Sequence, residues 1–368
     1  MNTLEIVNRP MTFEKVNGHD VLGDERELPE NISPKQFNVR TSNQRLKDAK
    51  SQPEIRKLLS EIWMSNELHI LFADTGMGKS IYGVAVADKL SKGENFFIFQ
   101  NECEAQIVLY YDFELSDRQF RKRYTNDEGN DYLFSDNLYV DNIDFAELIA
   151  LNPKKPLSEL LFEKIKIDIE YTQAQVLIID NLTYLSSQST QDTQIALEVM
   201  IQLNILKKQY NLSILVLAHT PKRSSSSPLG VNDLAGSKHL SNFADSVSAI
   251  GKSIKDGTLR YIKQIKPSRS SEMVYDTNNV IVCSIIKDDR ILTFEFVDFE
   301  SEYEHLQSNN DEEKHERRNE QIEKAIQLHN QGISMSEIAL TILGSEKSKG
   351  TISKWISKSK TQSFPTFP

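Results

Sequence analysis

The sequence predicts an α/β fold: a mainly parallel twisted sheet covered by helices, an antiparallel extension of that sheet, and a small all-α domain at the C-terminal end. Three observations predict it. Short continuous apolar runs at Leu68–Ala73, Ile107–Phe113, Val176–Ile179 and Leu212–Leu217 are separated by stretches long enough for helices, the pattern of a sheet buried on both faces. Beyond about residue 245 the apolar runs become shorter and β-like. After residue 319 the periodicity turns helical and the charge turns basic.

Composition sets the outer bounds. A chain of 368 residues suits one main domain with smaller additions, and 39% hydrophobic with 26% charged residues suits a folded chain with a polar surface. No run approaches the ~18 consecutive apolar residues of a membrane span, and the start MNTLEIVNRP lacks a basic region followed by an apolar one. The expectation is a cytoplasmic protein with no membrane partner. Cys103 and Cys283 are too few for a disulfide framework and are not spaced as a metal site, so they read as buried thiols. The net charge of -10 argues against a basic coat for nucleic acid over the whole surface. The last part of the chain differs: residues 321–368 carry six lysines against three glutamates.

Taken in order, residues 1–52 hold Pro10, Pro29 and Pro34 among polar residues and read as an extended N-terminal arm. The main domain is expected over 53–300. It opens on EIRKLLSEIWM, where Ile55, Leu58, Leu59, Ile62 and Trp63 fall at helical spacing and predict a helix before the first strand. Further helices are predicted at 79–91, 156–172 and 192–209, between the buried strands. The pieces 258–265, 278–287 and 291–298 predict the antiparallel extension, the last two joined by the turn Lys287-Asp288-Asp289-Arg290. Residues 301–318 are densely charged and nearly free of apolar side chains, which predicts a linker or a solvated helix.

The segment Ala73-Asp74-Thr75-Gly76-Met77-Gly78-Lys79-Ser80 lies between an apolar strand and a helix, the setting of a phosphate-binding loop. Backbone N–H groups of such a loop wrap phosphates, Gly76 and Gly78 permit close approach and positive φ, Lys79 reaches the β- and γ-phosphates, and Ser80 can coordinate Mg²⁺. Ala73 stands where the usual pattern has glycine, and Asp74 is expected to face solvent. The acidic half of the site is Asp180, at the end of Val176-Leu177-Ile178-Ile179, with a role at the Mg²⁺. Asn181 follows it, so a general base must come from elsewhere. Glu114, after the strand Ile107–Phe113, can face Lys79 and Asp180 across the crevice at the strand ends, with Asp112 as the alternative base and a helix N-terminal acid near Ser116 as the alternative role for Glu114.

In combination these motifs resemble RecA-like P-loop ATPases of the RepA, DnaB and KaiC type, AAA family ATPases of plasmids and mobile elements, over roughly residues 53–300. DFELS at 112–116 matches the group's catalytic glutamate after the strand that follows the phosphate-loop helix. The resemblance implies ATP with Mg²⁺, Glu114 as the base, and His219 in Leu217-Ala218-His219-Thr220 as the sensor of the γ-phosphate. It implies that the basic loop with Lys222, Arg223 and Lys238 lines a central channel for single-stranded DNA, the alternative being an ordinary mobile surface loop. It also implies that Lys266 or Arg269, beyond the strand Tyr261–Lys266, enters a neighbouring subunit's site, the alternative being a solvated edge. A homo-oligomer follows, a hexamer among the possible rings.

Residues 319–358 read as three helices: 320–330, 335–343 and 351–357. Ser334 and Glu337 form a capping-box pattern for the second. Ile338, Ala339 and Ile342, with Ile352, Trp355 and Ile356, would form a shared core. GTISKWISK resembles the recognition helix of helix-turn-helix domains, which implies contact of Lys349, Thr351, Lys354 and Lys358 with duplex DNA; the turn 344–350 is longer than in that motif. The alternative is a helical protein-interaction hairpin. Residues 359–368, with Pro365 and Pro368, read as an unstructured tail. The whole predicts a DNA-associated ATPase, or a DNA-binding regulator in which ATP acts as a switch.

Overall fold

The structure is a computed structural model. It describes residues 13–16, 19–22, 39–182, 193–220, 223, 225–234, 237–306, 311–343, 345 and 348–361. The chain divides into two units, Met1–Glu54 and Ile55–Pro368. The first holds an antiparallel hairpin, β1 (Phe13–Val16) and β2 (His19–Leu22), and the helix α1 (Ser42–Ala49), capped by the Thr41 hydroxyl on the Gln44 N–H.

The second unit opens on a short hairpin where a helix is expected. Residues 53–64 do not form a helix: β3 (Lys57–Leu59) pairs antiparallel with β4 (Trp63–Met64) across a turn in which Ser60 takes φ 43°. The physical reason is tertiary. Leu58, Leu59, Ile62, Trp63 and Met64 are all buried, whereas a surface helix would bury one stripe. The backbone instead bonds to the distant segment 100–102, Ser60 N–H to the Gln100 carbonyl and Glu102 N–H to the Lys57 carbonyl.

The main sheet follows. β5 (Leu68–Ala73) leads into α2 (Lys79–Lys92); β6 (Val108–Asp112), α3 (Asp117–Arg123), β7 (Leu138–Asp141), α4 (Phe145–Leu151) and α5 (Leu157–Thr172) come next. Then come β8 (Val176–Asp180), α6 (Thr193–Tyr210), β9 (Ser213–His219), α7 (Ser237–Phe243) and β10 (Ser246–Lys252). β11 (Leu259–Lys266), β12 (Val280–Asp288) and β13 (Ile291–Glu300) complete it, in the order β13-β12-β11-β10-β5-β9-β8-β6-β7. The run from β10 to β7 is parallel and β11 to β13 add antiparallel, as expected. This is a RecA-like P-loop fold, with one strand, β9, between the phosphate-loop strand β5 and the acidic strand β8.

Alternation along β5 builds a core on each face. Leu68, Ile70 and Phe72 pack with Leu161, Ile165 and Leu203 of α5 and α6, while Leu71 and Ala73 pack with Tyr82, Val86 and Leu90 of α2. The sequence reading passed over β7 and β10. In β10 the polar Ser246 and Ser248 hide the strand, because both bond to the buried His69 ring at 2.8 Å.

Residues 301–306 also correct an expectation. Glu302–His305 is a 3-10 turn, not part of a solvated linker, and Glu302 and His305 are fully buried. Glu302 accepts from the Leu229 N–H at 2.6 Å, the Tyr261 hydroxyl at 3.1 Å and the Lys263 ammonium at 2.5 Å. The charge that looks solvated in the sequence is matched inside the fold.

The last helices are α8 (Asp311–Asn330), α9 (Met335–Leu343) and α10 (Lys349–Thr361). Ala325, Ile338, Ala339, Ile352 and Ile356 form their core, with Trp355 packed against it. The Ser334–Glu337 capping box is formed. Residues 362–368 lie outside the described residues.

Candidate active site

Strand register brings the candidate residues to one crevice. Asp112 pairs with Asp180, Asp180 with Leu217, and His219 with Ala73, so β6, β8, β9 and β5 end side by side where α2 begins. Ala73 closes β5 as an ordinary buried strand residue with no positive φ, which explains why alanine serves where glycine is usual. Gly76 and Gly78 do take positive φ, 77° and 95°. At Gly78 a Cβ would also lie 2.5 Å from Ile285 of β12 and 3.2 Å from Phe294 of β13, so the antiparallel extension presses on the loop. Asp74 and Thr75 are exposed and Met77 half-buried.

Lys79 is buried and its ammonium is held by the carbonyls of Ala73 at 2.8 Å and Asp74 at 3.1 Å. Burial lowers its pKa, against the pull of Asp180, Glu114 and Asp74. Ser80 bonds to Asp180, which also accepts from the Tyr110 hydroxyl at 2.8 Å. Burial raises Asp180 to about 6 despite those two bonds, with Asp112 and Glu114 adding to the rise. A buried carboxylate beside a hydroxyl at the head of α2 is a hard oxygen pair suited to Mg²⁺ that arrives with nucleotide phosphates. Among the described residues no cluster of three or more His, Cys, Asp or Glu forms a metal cage independent of a nucleotide.

Glu114 lies on the same crevice. Its side chain is partly exposed, and its Oε1 accepts from the Asn181 amide at 2.6 Å. Asn181 Nδ2 also stands 3.1 Å from His219 Nε2, and His219 Nδ1 stands 3.2 Å from Lys79 Nζ. Burial and then the nearby Lys79 charge lower the His219 pKa, so the ring is neutral near pH 7. The Asp180–Asn181 peptide is cis. Asp112, the alternative base, is buried with Oδ1 accepting the N–H groups of Glu114 at 3.0 Å and Leu115 at 2.9 Å. It shapes the turn that presents Glu114 and is not among the residues that line the cavity at Lys79. The N-cap position of α3 belongs to Ser116, so Glu114 is not the capping acid.

These groups line a cavity of about 220 Å³ with Thr75, Gly76, Gly78, Lys79, Ser80, Glu114, Asp180, Asn181 and His219. That is below the ~300–1,000 Å³ of sites that enclose a whole ligand, and it fits the phosphate end of a nucleotide. Arg123, in the last turn of α3, lines the same cavity. The sequence reading missed Arg123, Tyr110 and the role of Asn181; a signal existed only for Asn181, which follows the acidic strand. A larger groove of about 610 Å³ between α5 and α6 contains none of these residues.

The other candidates lie elsewhere. Lys266 pairs with Val247, near the start of the parallel strands, and donates to the carbonyls of Ser241 at 2.8 Å and Ala244 at 2.6 Å. It closes the C-terminal end of α7, at the sheet end away from its own phosphate loop. Arg269 is the more open of the pair, 68% exposed and 3.3 Å from Asp245. Arg223 departs from the channel-loop expectation: its side chain is half-buried, ion-paired with Asp233 at 3.2 Å and bonded to the Ser227 carbonyl. Its charge is matched within its own loop. Lys222 lies outside the described residues, as do the side chains of Lys238 and Lys358. Lys349, Thr351 and Lys354 are exposed on α10.

A family model described as an AAA domain matches residues 33–225, just over half of the chain. The chain belongs to that AAA domain family. The matched range includes the phosphate loop, Glu114, Asp180 and His219, and together with the fold it supports an ATPase. No curated protein matches the chain. Among solved structures, the KaiC-like protein PH0186 from Pyrococcus horikoshii OT3 is similar with a TM-score of 0.42 and 14% identity, over 66% of this chain and 99% of that one. The fold assignment rests on strand order and the phosphate loop, not on that likeness. No helix among the described residues is long and apolar enough to cross a membrane.

Proposed function

We propose that this AAA domain protein binds ATP with Mg²⁺, hydrolyses it with Glu114 as the general base, and does so as a DNA-associated homo-oligomer in the replication, mobilisation or maintenance of a plasmid or mobile element. The observation that carries the hydrolytic part is the position of Glu114, bonded to Asn181 in the same cavity as Lys79, Ser80 and Asp180. Mg²⁺, held by Ser80 and Asp180, would neutralise charge between the β- and γ-phosphate oxygens. Lys79 exchanges its two loop carbonyls for phosphate oxygens, Glu114 takes a proton from water, and His219 meets the γ-phosphate at the tip of β9.

Association with DNA is supported by the basic end of the chain and by the exposed Lys349, Thr351 and Lys354 on α10. Oligomerisation is supported by Arg269, open to solvent at the sheet end away from its own phosphate loop and able to serve a neighbour's site. A second reading, an ATP-switched DNA-binding regulator without motor activity, is favoured by one observation: Arg223 is occupied within its own loop and offers no free charge to a strand in a channel.

Steady-state ATP turnover, alone and with single-stranded or duplex DNA, tests the proposal. Stimulation by single strands supports the ATPase that moves or loads on DNA. Duplex binding with unchanged turnover supports the regulator, and absence of turnover under every condition removes the hydrolytic reading.

A further inference from the structure

We propose that Asn181 is a positioning residue that ties the base Glu114 to the sensor His219 and selects which carboxylate oxygen receives the proton. The inference rests on the reading of Glu114 as the base. Asn181 is 2% exposed, at the end of β8, and its amide lies between two groups from other strands. It donates to Glu114 Oε1 at 2.6 Å and stands 3.1 Å from His219 Nε2, whereas His219 and Glu114 are 3.9 Å apart, too far for a direct hydrogen bond. The amide is the link between them.

Two consequences follow from that geometry. Donation by the amide draws negative charge at Oε1 and leaves Oε2 the more basic oxygen, which takes the water proton. In the step, the water O–H bond breaks with its proton passing to Oε2, the oxygen bonds to the γ-phosphorus, and the bridging P–O electron pair leaves with ADP. The second consequence concerns charge. Asp180 and Asp112 already stand near Glu114, and a third acid at position 181 would oppose its ionised form, while an amide orients it without adding charge. The chain of contacts then runs Lys79, His219, Asn181, Glu114. A neutral imidazole accepts at one nitrogen only: while Lys79 donates to Nδ1, Nε2 carries the hydrogen and cannot accept from the Asn181 amide, and nucleotide that draws Lys79 off the ring leaves Nε2 open to accept from that amide, which completes the link to the base.

The test uses the full chain, with kcat and KM for Mg-ATP and the affinity for a fluorescent ATP analogue. Asn181→Ala lowers kcat about 10–100-fold and leaves KM and analogue affinity within about threefold. Asn181→Ser, which keeps a donor, retains more of the rate and carries the test if the alanine variant does not fold. In single-turnover measurements Asn181→Ala adds no further loss to Glu114→Gln, because the two act as one unit. Independent, multiplying losses, or a raised KM with unchanged kcat, overturn the proposal. A slow Glu114→Gln beside a normal Asn181→Ala overturns the coupling alone, and a normal Glu114→Gln overturns the base and the coupling together.

Discussion

The Lys79 ammonium and the His219 ring meet at 3.2 Å across the mouth of the phosphate loop, one from the start of α2 and the other from the end of β9. The lysine bonds to loop carbonyls on its other side, so it bridges the loop to the end of β9. Removal of the two partners has different effects. Lys79→Ala abolishes nucleotide binding, and His219→Ala lowers kcat about 10–100-fold while binding stays within about threefold, because its contact belongs to the reacting state. Equilibrium binding and steady-state rates on both variants check this; equal losses of affinity contradict it.

Asp112 works through the backbone that presents Glu114. Asp112→Ala leaves two N–H groups of the turn without their acceptor, lowers kcat, and costs about 1–3 kcal/mol of stability. Asp112→Asn keeps the acceptor and most of the rate. Rates and urea unfolding of the pair check it, and a rate collapse in the asparagine variant would point back to Asp112 as a base.

Acid stability reads the buried His69. Burial between Ser246 and Ser248 lowers its pKa from the ordinary value of 6.5 to about 3. In the unfolded chain the ring takes a proton below about pH 6.5, while in the fold it stays neutral to about 3. The unfolded state therefore binds more protons in that window, and stability is full above pH 6.5 and lost as pH falls, by about 1.4 kcal/mol per pH unit. His69→Asn removes that share of the slope. Urea titrations between pH 4 and 7 show it, and an unchanged slope contradicts it.

Glu302 and Lys263 form a buried pair that also fixes Leu229. Glu302→Ala strands the ammonium and costs about 3–5 kcal/mol, while Lys263→Met with Glu302→Leu costs less. Urea unfolding of the two variants distinguishes them; equal losses would mean that the pair carries no charge-specific role.

What the sequence discloses and what it hides divide along physical lines. The phosphate loop, Asp180, Glu114 and His219 are legible because each follows an apolar run whose end fixes its place in a parallel sheet. The helix expected over 53–64 fails because a tight turn at Ser60 imitates the i, i+3, i+4 spacing of a helix while Leu58, Leu59, Ile62, Trp63 and Met64 are all buried. β10 is hidden because Ser246 and Ser248 pair with a histidine 177 and 179 residues away in sequence. Residues 301–306 look solvated because the partner of Glu302 lies on β11. Local pattern cannot show a charge that is matched only in three dimensions. The same holds for Lys266, whose acceptors sit at the end of α7.

The central claim is that Glu114 is the base of ATP hydrolysis in this AAA domain. The most direct measurement compares ATP binding and turnover of the wild-type chain with Glu114→Gln, in the presence of Mg²⁺. With Glu114 as the base, the variant keeps its ATP affinity while turnover falls by at least about 100-fold. Wild-type turnover in Glu114→Gln would contradict it.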